Sequence, residues 1–95
     1  MLKVPSISVE YLRIPITGSN DLAAFPVEMA VLPEGQDPGS GDWLTAEWSP
    51  LGEAMILVGP GTSLPLTRGV TYQIWVRITA EPEIPVLAPG QVHAT

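Results

Sequence analysis

With 95 residues the chain has room for one domain, and 45% hydrophobic against 15% charged residues exclude a disordered segment. The absence of cysteine rules out disulfides, thiolate nucleophiles and cysteine-bearing zinc sites, and weighs against a small secreted domain. A net charge of −6, with only Lys3, Arg13, Arg68 and Arg77 as scattered cations, provides no basic stripe for nucleic acid and no attraction to an anionic membrane surface.

Met1-Leu2-Lys3-Val4-Pro5 begins like a signal peptide, but Pro5, Glu10 and Arg13 interrupt the apolar run such a signal needs. Residues 1–6 are expected to form an N-terminal arm and residues 7–95 the folded domain. The first strand is expected over 7–16, with Pro15 marking an edge or a bulge. Asn20 to Ala24 is the best helical stretch and amounts to a turn. A strand over 27–32 places Val27, Met29 and Val31 on one face. A Gly-rich loop over 33–42 follows, then a strand over 43–48 with Leu44, Ala46 and Trp48 on a common face. Ser49-Pro50-Leu51-Gly52 is a tight turn. The longest apolar run, Ala54 to Val58, is a strand and far short of a membrane span. A short strand is expected near 63–66. Over 70–79 the alternation is strict, with Tyr72, Ile74, Val76 and Ile78 on one side and Thr71, Gln73, Trp75, Arg77 and Thr79 on the other. Residues 81–90 hold three prolines and read as an extended, stiff connection before a last strand over 91–94. Six or seven short strands separated by Gly and Pro turns predict an all-β antiparallel sandwich.

Leu66-Thr67-Arg68-Gly69-Val70-Thr71-Tyr72, placed directly before the alternating strand, resembles the tyrosine corner of immunoglobulin-like and fibronectin type III domains. The resemblance implies that Tyr72 is buried with its hydroxyl turned back to the backbone near Leu66, that Gly69 makes the corner, and that Trp48 is the core tryptophan. Arg68 stands where the family usually has proline, and antibody-type cysteines are absent.

A wider likeness runs through Val9-Glu10-Tyr11, Ile14-Pro15-Ile16, Pro26-Val27-Glu28-Met29-Ala30-Val31, Gly39-Ser40-Gly41-Asp42-Trp43 and Ala46-Glu47-Trp48. It continues through Leu57-Val58-Gly59-Pro60-Gly61, Tyr72 to Thr79, and Glu81-Pro82-Glu83-Ile84-Pro85-Val86. In these segments the chain resembles short structural proteins of tailed bacteriophages and prophages of actinobacteria. That resemblance implies a virion protein, a capsid decoration or minor capsid component bound to the major capsid protein or other virion proteins. A head–tail connector or tail component is the alternative within the virion. A carbohydrate-binding or adhesion module is the alternative from another class.

Catalytic chemistry finds little support. His93 is the sole histidine and lies close to the chain end, with Ser40 or Ser63 and Asp42 as distant partners for a triad and no nucleophile elbow. Glu34, Asp37 and Asp42 share one loop without calcium-loop spacing. Glu81 and Glu83 flank Pro82 on another loop, with no cleft to make them a glycosidase pair. Pro82-Glu83-Ile84-Pro85 fits the loose PxxP pattern and reads better as a rigid connection. No cofactor and no metal are expected. Interaction residues are sought on the faces opposite the core: Trp43, Gln73, Trp75 and Arg77, with Leu2 and Val4 of the arm. Self-association is a further possibility for these surfaces.

Overall fold

The computed structural model describes residues 2–16 and 24–95. These form eight strands in two sheets, with no α-helix among the described residues. The strands are β1 (Leu2–Val4), β2 (Glu10–Pro15), β3 (Val27–Pro33), β4 (Leu44–Thr45), β5 (Glu47–Trp48), β6 (Glu53–Val58), β7 (Thr71–Ile78) and β8 (Val86–Ala94). The larger sheet has the order β1-β8-β7-β3-β4 and the smaller one β2-β6-β5. All pairings are antiparallel except β1 with β8, where Leu2, Lys3 and Val4 run parallel beside Val92, His93 and Ala94. The chain is therefore an all-β sandwich. The helical turn expected at Asn20 to Ala24 lies, apart from Ala24, outside the described residues.

The alternating side chains build the core. Tyr72, Ile74, Val76 and Ile78 of β7 are buried against Leu12 and Ile14 of β2, Met29 and Val31 of β3, and Ala54, Ile56 and Val58 of β6. The Val, Leu, Ile and Met side chains among these each contribute roughly 1.5–3 kcal/mol on burial. Leu44 and Trp48 pack against the cluster from its side, and Trp48 Nε1 donates to the Phe25 carbonyl at 2.8 Å.

Four local features differ from the sequence expectation. The arm at residues 1–6 is a sheet strand from Leu2 to Val4, because Val4 finds a place in the core and its backbone pairs with β8. The segment over 43–48 is two strands. Leu44 and Thr45 bond to β3, and Glu47 and Trp48 bond to β6, so the chain crosses between sheets at Ala46, whose N–H still donates to the Val27 carbonyl. No strand forms over 63–66. Thr62 Oγ1 donates to the Gly59 carbonyl and accepts from Leu64 N–H, and these local bonds with Pro65 leave the segment no ladder to join. The proline-rich stretch is extended as expected from Val86 on but not at its start. Ala80 and Glu83 exchange both backbone bonds, which makes a tight turn across Glu81–Pro82, and β8 begins already at Val86.

The corner preceding β7 is built around Tyr72. Its buried hydroxyl accepts a hydrogen bond from Thr67 N–H at 2.8 Å, Leu66 is buried, and Gly69 adopts φ +87°. A φ in that range is where glycine is the easy residue. Tyr72→Phe leaves the Thr67 N–H without its acceptor and is expected to lower unfolding free energy by about 1–2 kcal/mol in urea titration. Tyr11→Phe, at an exposed ring, serves as the control and is expected to change nothing measurable.

Candidate interaction surface

The outer face of the larger sheet holds the polar side chains of β7, and its own chain occupies them. Arg77 donates through Nε and Nη2 to Glu28 Oε1 at 3.1 and 2.7 Å, and its guanidinium lies over the Trp43 ring at 4.5 Å. Glu28 and Arg77 are cross-strand partners in the ladder of β3 with β7, so the sheet register itself brings the ion pair together. Gln73 Nε2 donates to the Gly90 carbonyl at 2.7 Å. Trp43 and Trp75 are half-buried rather than projecting, and the Trp75 indole N–H is buried without a partner among the described residues. Ala30, opposite Trp75, is fully buried. Trp43, Gln73 and Arg77 are thus engaged within the molecule, whereas Trp75 is half-buried with its indole N–H unpaired among the described residues.

The arm residues separate. Leu2 is 46% exposed, whereas Val4 is only 4% exposed and belongs to the core. Val4 is therefore not an interface residue of this fold: Leu2 and Val4, two apart, share one face of the strand, and Val4 is packed in the core while Leu2 borders an open cleft beside Ile14 and Pro89.

The smaller sheet presents a surface that the sequence expectation missed. Tyr11 and Leu57 are direct cross-strand neighbours on its outer face, and both are exposed. Val9 continues the stripe, and Ile7, at 84% exposure, lies beyond it. Arg13 lies along the same face. Its guanidinium sits over the Tyr11 ring at 5.8 Å, and Nη1 donates to Met55 Sδ at 3.7 Å. No carboxylate among the described residues forms an ion pair with it. A shallow hollow of about 520 Å³ adjoins the patch, bordered by Tyr11, Met55, Leu57, Glu47, Thr62 and Ser63. Exposed apolar groups with a positioned arginine and a tyrosine are the composition of binding hot spots.

The candidate catalytic groups are not assembled. His93 Nδ1 is hydrogen-bonded to Thr71 Oγ1 at 2.8 Å, on the ladder between β7 and β8. Asp42 Oδ2 accepts from Gly39 N–H at 2.7 Å and so closes its own loop. Among the described residues no group of three His, Asp or Glu side chains converges as a metal site. Pro82-Glu83-Ile84-Pro85 begins inside the tight turn, which is not the extended form that PxxP recognition uses. No protein family, curated protein or solved structure matches this chain.

Proposed function

We propose that this protein is a non-enzymatic structural protein of a phage virion, an immunoglobulin-like decoration or minor capsid protein that binds the capsid lattice. The sequence resemblance to actinobacteriophage structural proteins supplies the setting. The observation that carries the binding role is the exposed stripe of Val9, Tyr11 and Leu57 with Arg13 laid across it.

The immunoglobulin-like subtype is supported by strand order. In the seven-strand pattern of that fold, strands A, B, E and D form one sheet and C, F and G the other. Taking β2, β3, β5, β6, β7 and β8 as B, C, D, E, F and G reproduces the neighbours B-E-D and G-F-C, with β4 beside C. β1 then takes the place of strand A, shifted across to lie parallel with the last strand. The Tyr72 corner supports the same assignment.

Lattice binding favours small, weak patches, because many tethered copies act at high local concentration. Leu57→Asp puts a charge in the centre of the stripe without touching the core. It is expected to reduce occupancy on purified particles about tenfold or more, with the melting temperature little changed. Normal loading of this variant would place the contact elsewhere, and particles that never carry the wild-type protein would end the virion reading.

A further inference from the structure

β2 is bonded on one side only. In its ladder with β6, Tyr11 faces Leu57, Arg13 faces Met55 and Pro15 faces Glu53. The Glu53 carbonyl accepts from Ser49 N–H at 2.8 Å, and Glu53 N–H donates to Ser49 Oγ at 3.1 Å. The backbone groups of Glu53 therefore turn away from β2. Along a strand these groups alternate in direction, so Met55 and Leu57 turn the same way as Glu53. Their partners Tyr11 and Arg13 must then direct N–H and C=O away from β6, to the free edge. Pro15 agrees with this phase, since a proline is tolerated in a strand where its nitrogen faces away from the ladder. No strand, turn or loop among the described residues takes up these groups.

We propose that a second copy of this chain occupies this edge, with β2 pairing antiparallel to β2 about a two-fold axis at Leu12. The two three-stranded sheets then become one continuous sheet. Residues directly opposite in an antiparallel pair share a face. In this register Leu12 meets Leu12, Tyr11 meets Arg13, Glu10 meets Ile14 and Val9 meets Pro15. Both Tyr11–Arg13 pairs are of the bonded kind, and each exchanges two N–H···O bonds.

The charge pattern selects this register over its neighbours. A shift one way sets Arg13 against Arg13, and a shift the other way sets Tyr11 against Tyr11 and Arg13 against Val9, which leaves the arginine no ring directly across the pair. In the chosen register no like charges face each other. Each Arg13 guanidinium, already held over the Tyr11 of its own strand, meets the Tyr11 ring of the other copy. The contact is isologous and consumes both edges, so it closes at two copies. It does not depend on the virion reading.

The test is sedimentation equilibrium of the purified chain, together with amide exchange. The wild type is expected to pass from monomer to dimer as concentration rises, with exchange at the Tyr11 and Arg13 amides slowing in step. Tyr11→Lys places Lys against Arg13 at both pairs and is expected to weaken association by roughly tenfold or more. Adding Arg13→Glu makes both pairs oppositely charged and is expected to restore the dimer, which no other register would do. A wild type that stays monomeric to near-millimolar concentration overturns the proposal, as does a dimer indifferent to Tyr11→Lys or not rescued by the second change. The exchange measurement needs no variant, so it decides the matter even if a substitution perturbs folding. Leu57→Asp leaves the edge groups intact, so loss of lattice binding and loss of self-pairing are separable outcomes.

Discussion

Gly59→Ala is expected to cost about 2–5 kcal/mol, combining a left-handed backbone penalty of about 1–2 with overpacking of about 1–3. Gly59 has φ +120°, and a β-carbon there would collide with the Ser8 carbonyl oxygen and come within 2.9 Å of Ser8 C and Val9 Cα. Those atoms are backbone, so no side chain can rotate aside. The chain leading from β1 into β2 passes directly over Gly59, held by Ser6 N–H to the Thr95 carbonyl and Ser8 N–H to the Pro5 carbonyl. Relief would require lifting that segment, which loosens β1 and the start of β2 together. For a domain of this length, with a total stability of about 5–15 kcal/mol, such a loss takes a large share of the whole. Urea denaturation by linear extrapolation measures it, and a change below about 1 kcal/mol would mean that residues 6–9 move aside freely.

Ile74→Ala is expected to destabilise by about 2–5 kcal/mol and to lower the melting temperature by roughly 10–25 °C. Ile74 is fully buried at the middle of β7. Its strand is fastened on one side to β3 through Val31 and on the other to β8 at Gly90, where the ladder shifts register before Val76. With both neighbours fixed, the backbone has little room to close the void. Ile74 also floors a cleft of about 380 Å³ between the sheets, walled by Leu2, Ile14 and Pro89. The lost volume would therefore open toward solvent rather than stay sealed. Calorimetry checks the shift, and a loss under about 1 kcal/mol would show that the two sheets can settle together.

How far the fold was legible depended on the length and purity of each pattern. β7 was readable because eight residues alternate without interruption and every second one is buried. β2 was not readable in the same way. Its surroundings are apolar at Ile7, Val9 and Tyr11, then at Leu12, Ile14 and Ile16, so the apolar phase switches between Tyr11 and Leu12. Two faces carry hydrophobic residues, and only the pairing with β6 shows which set is core. The outer stripe was missed for that reason, and the phase switch was the signal that marks it. The crossing at Ala46 was hidden because a strand that changes sheets keeps its alternation. β1 was hidden because three residues are too few for a period, and their partner strand lies at the far end of the sequence. The tryptophan face shows a further limit. Alternation places Trp75 and Arg77 opposite the core, but it does not report that Glu28 and Trp43 have already claimed the arginine.

The parallel pairing of β1 with β8 has a mechanical meaning. Parallel strands pulled from their outer ends, at Leu2 and at Ala94, are dragged lengthwise past each other. Their bonds then lie across the direction of force and bear it together, where an antiparallel hairpin pulled at its open end would unzip one rung at a time. The load here falls on the three rungs from Leu2–Val92 to Val4–Ala94, extended by Thr95 N–H to the Val4 carbonyl and Ser6 N–H to the Thr95 carbonyl. Tension applied through the two ends would meet a shear clamp at the sheet edge, and the core behind it would feel no stretch until that clamp had given way.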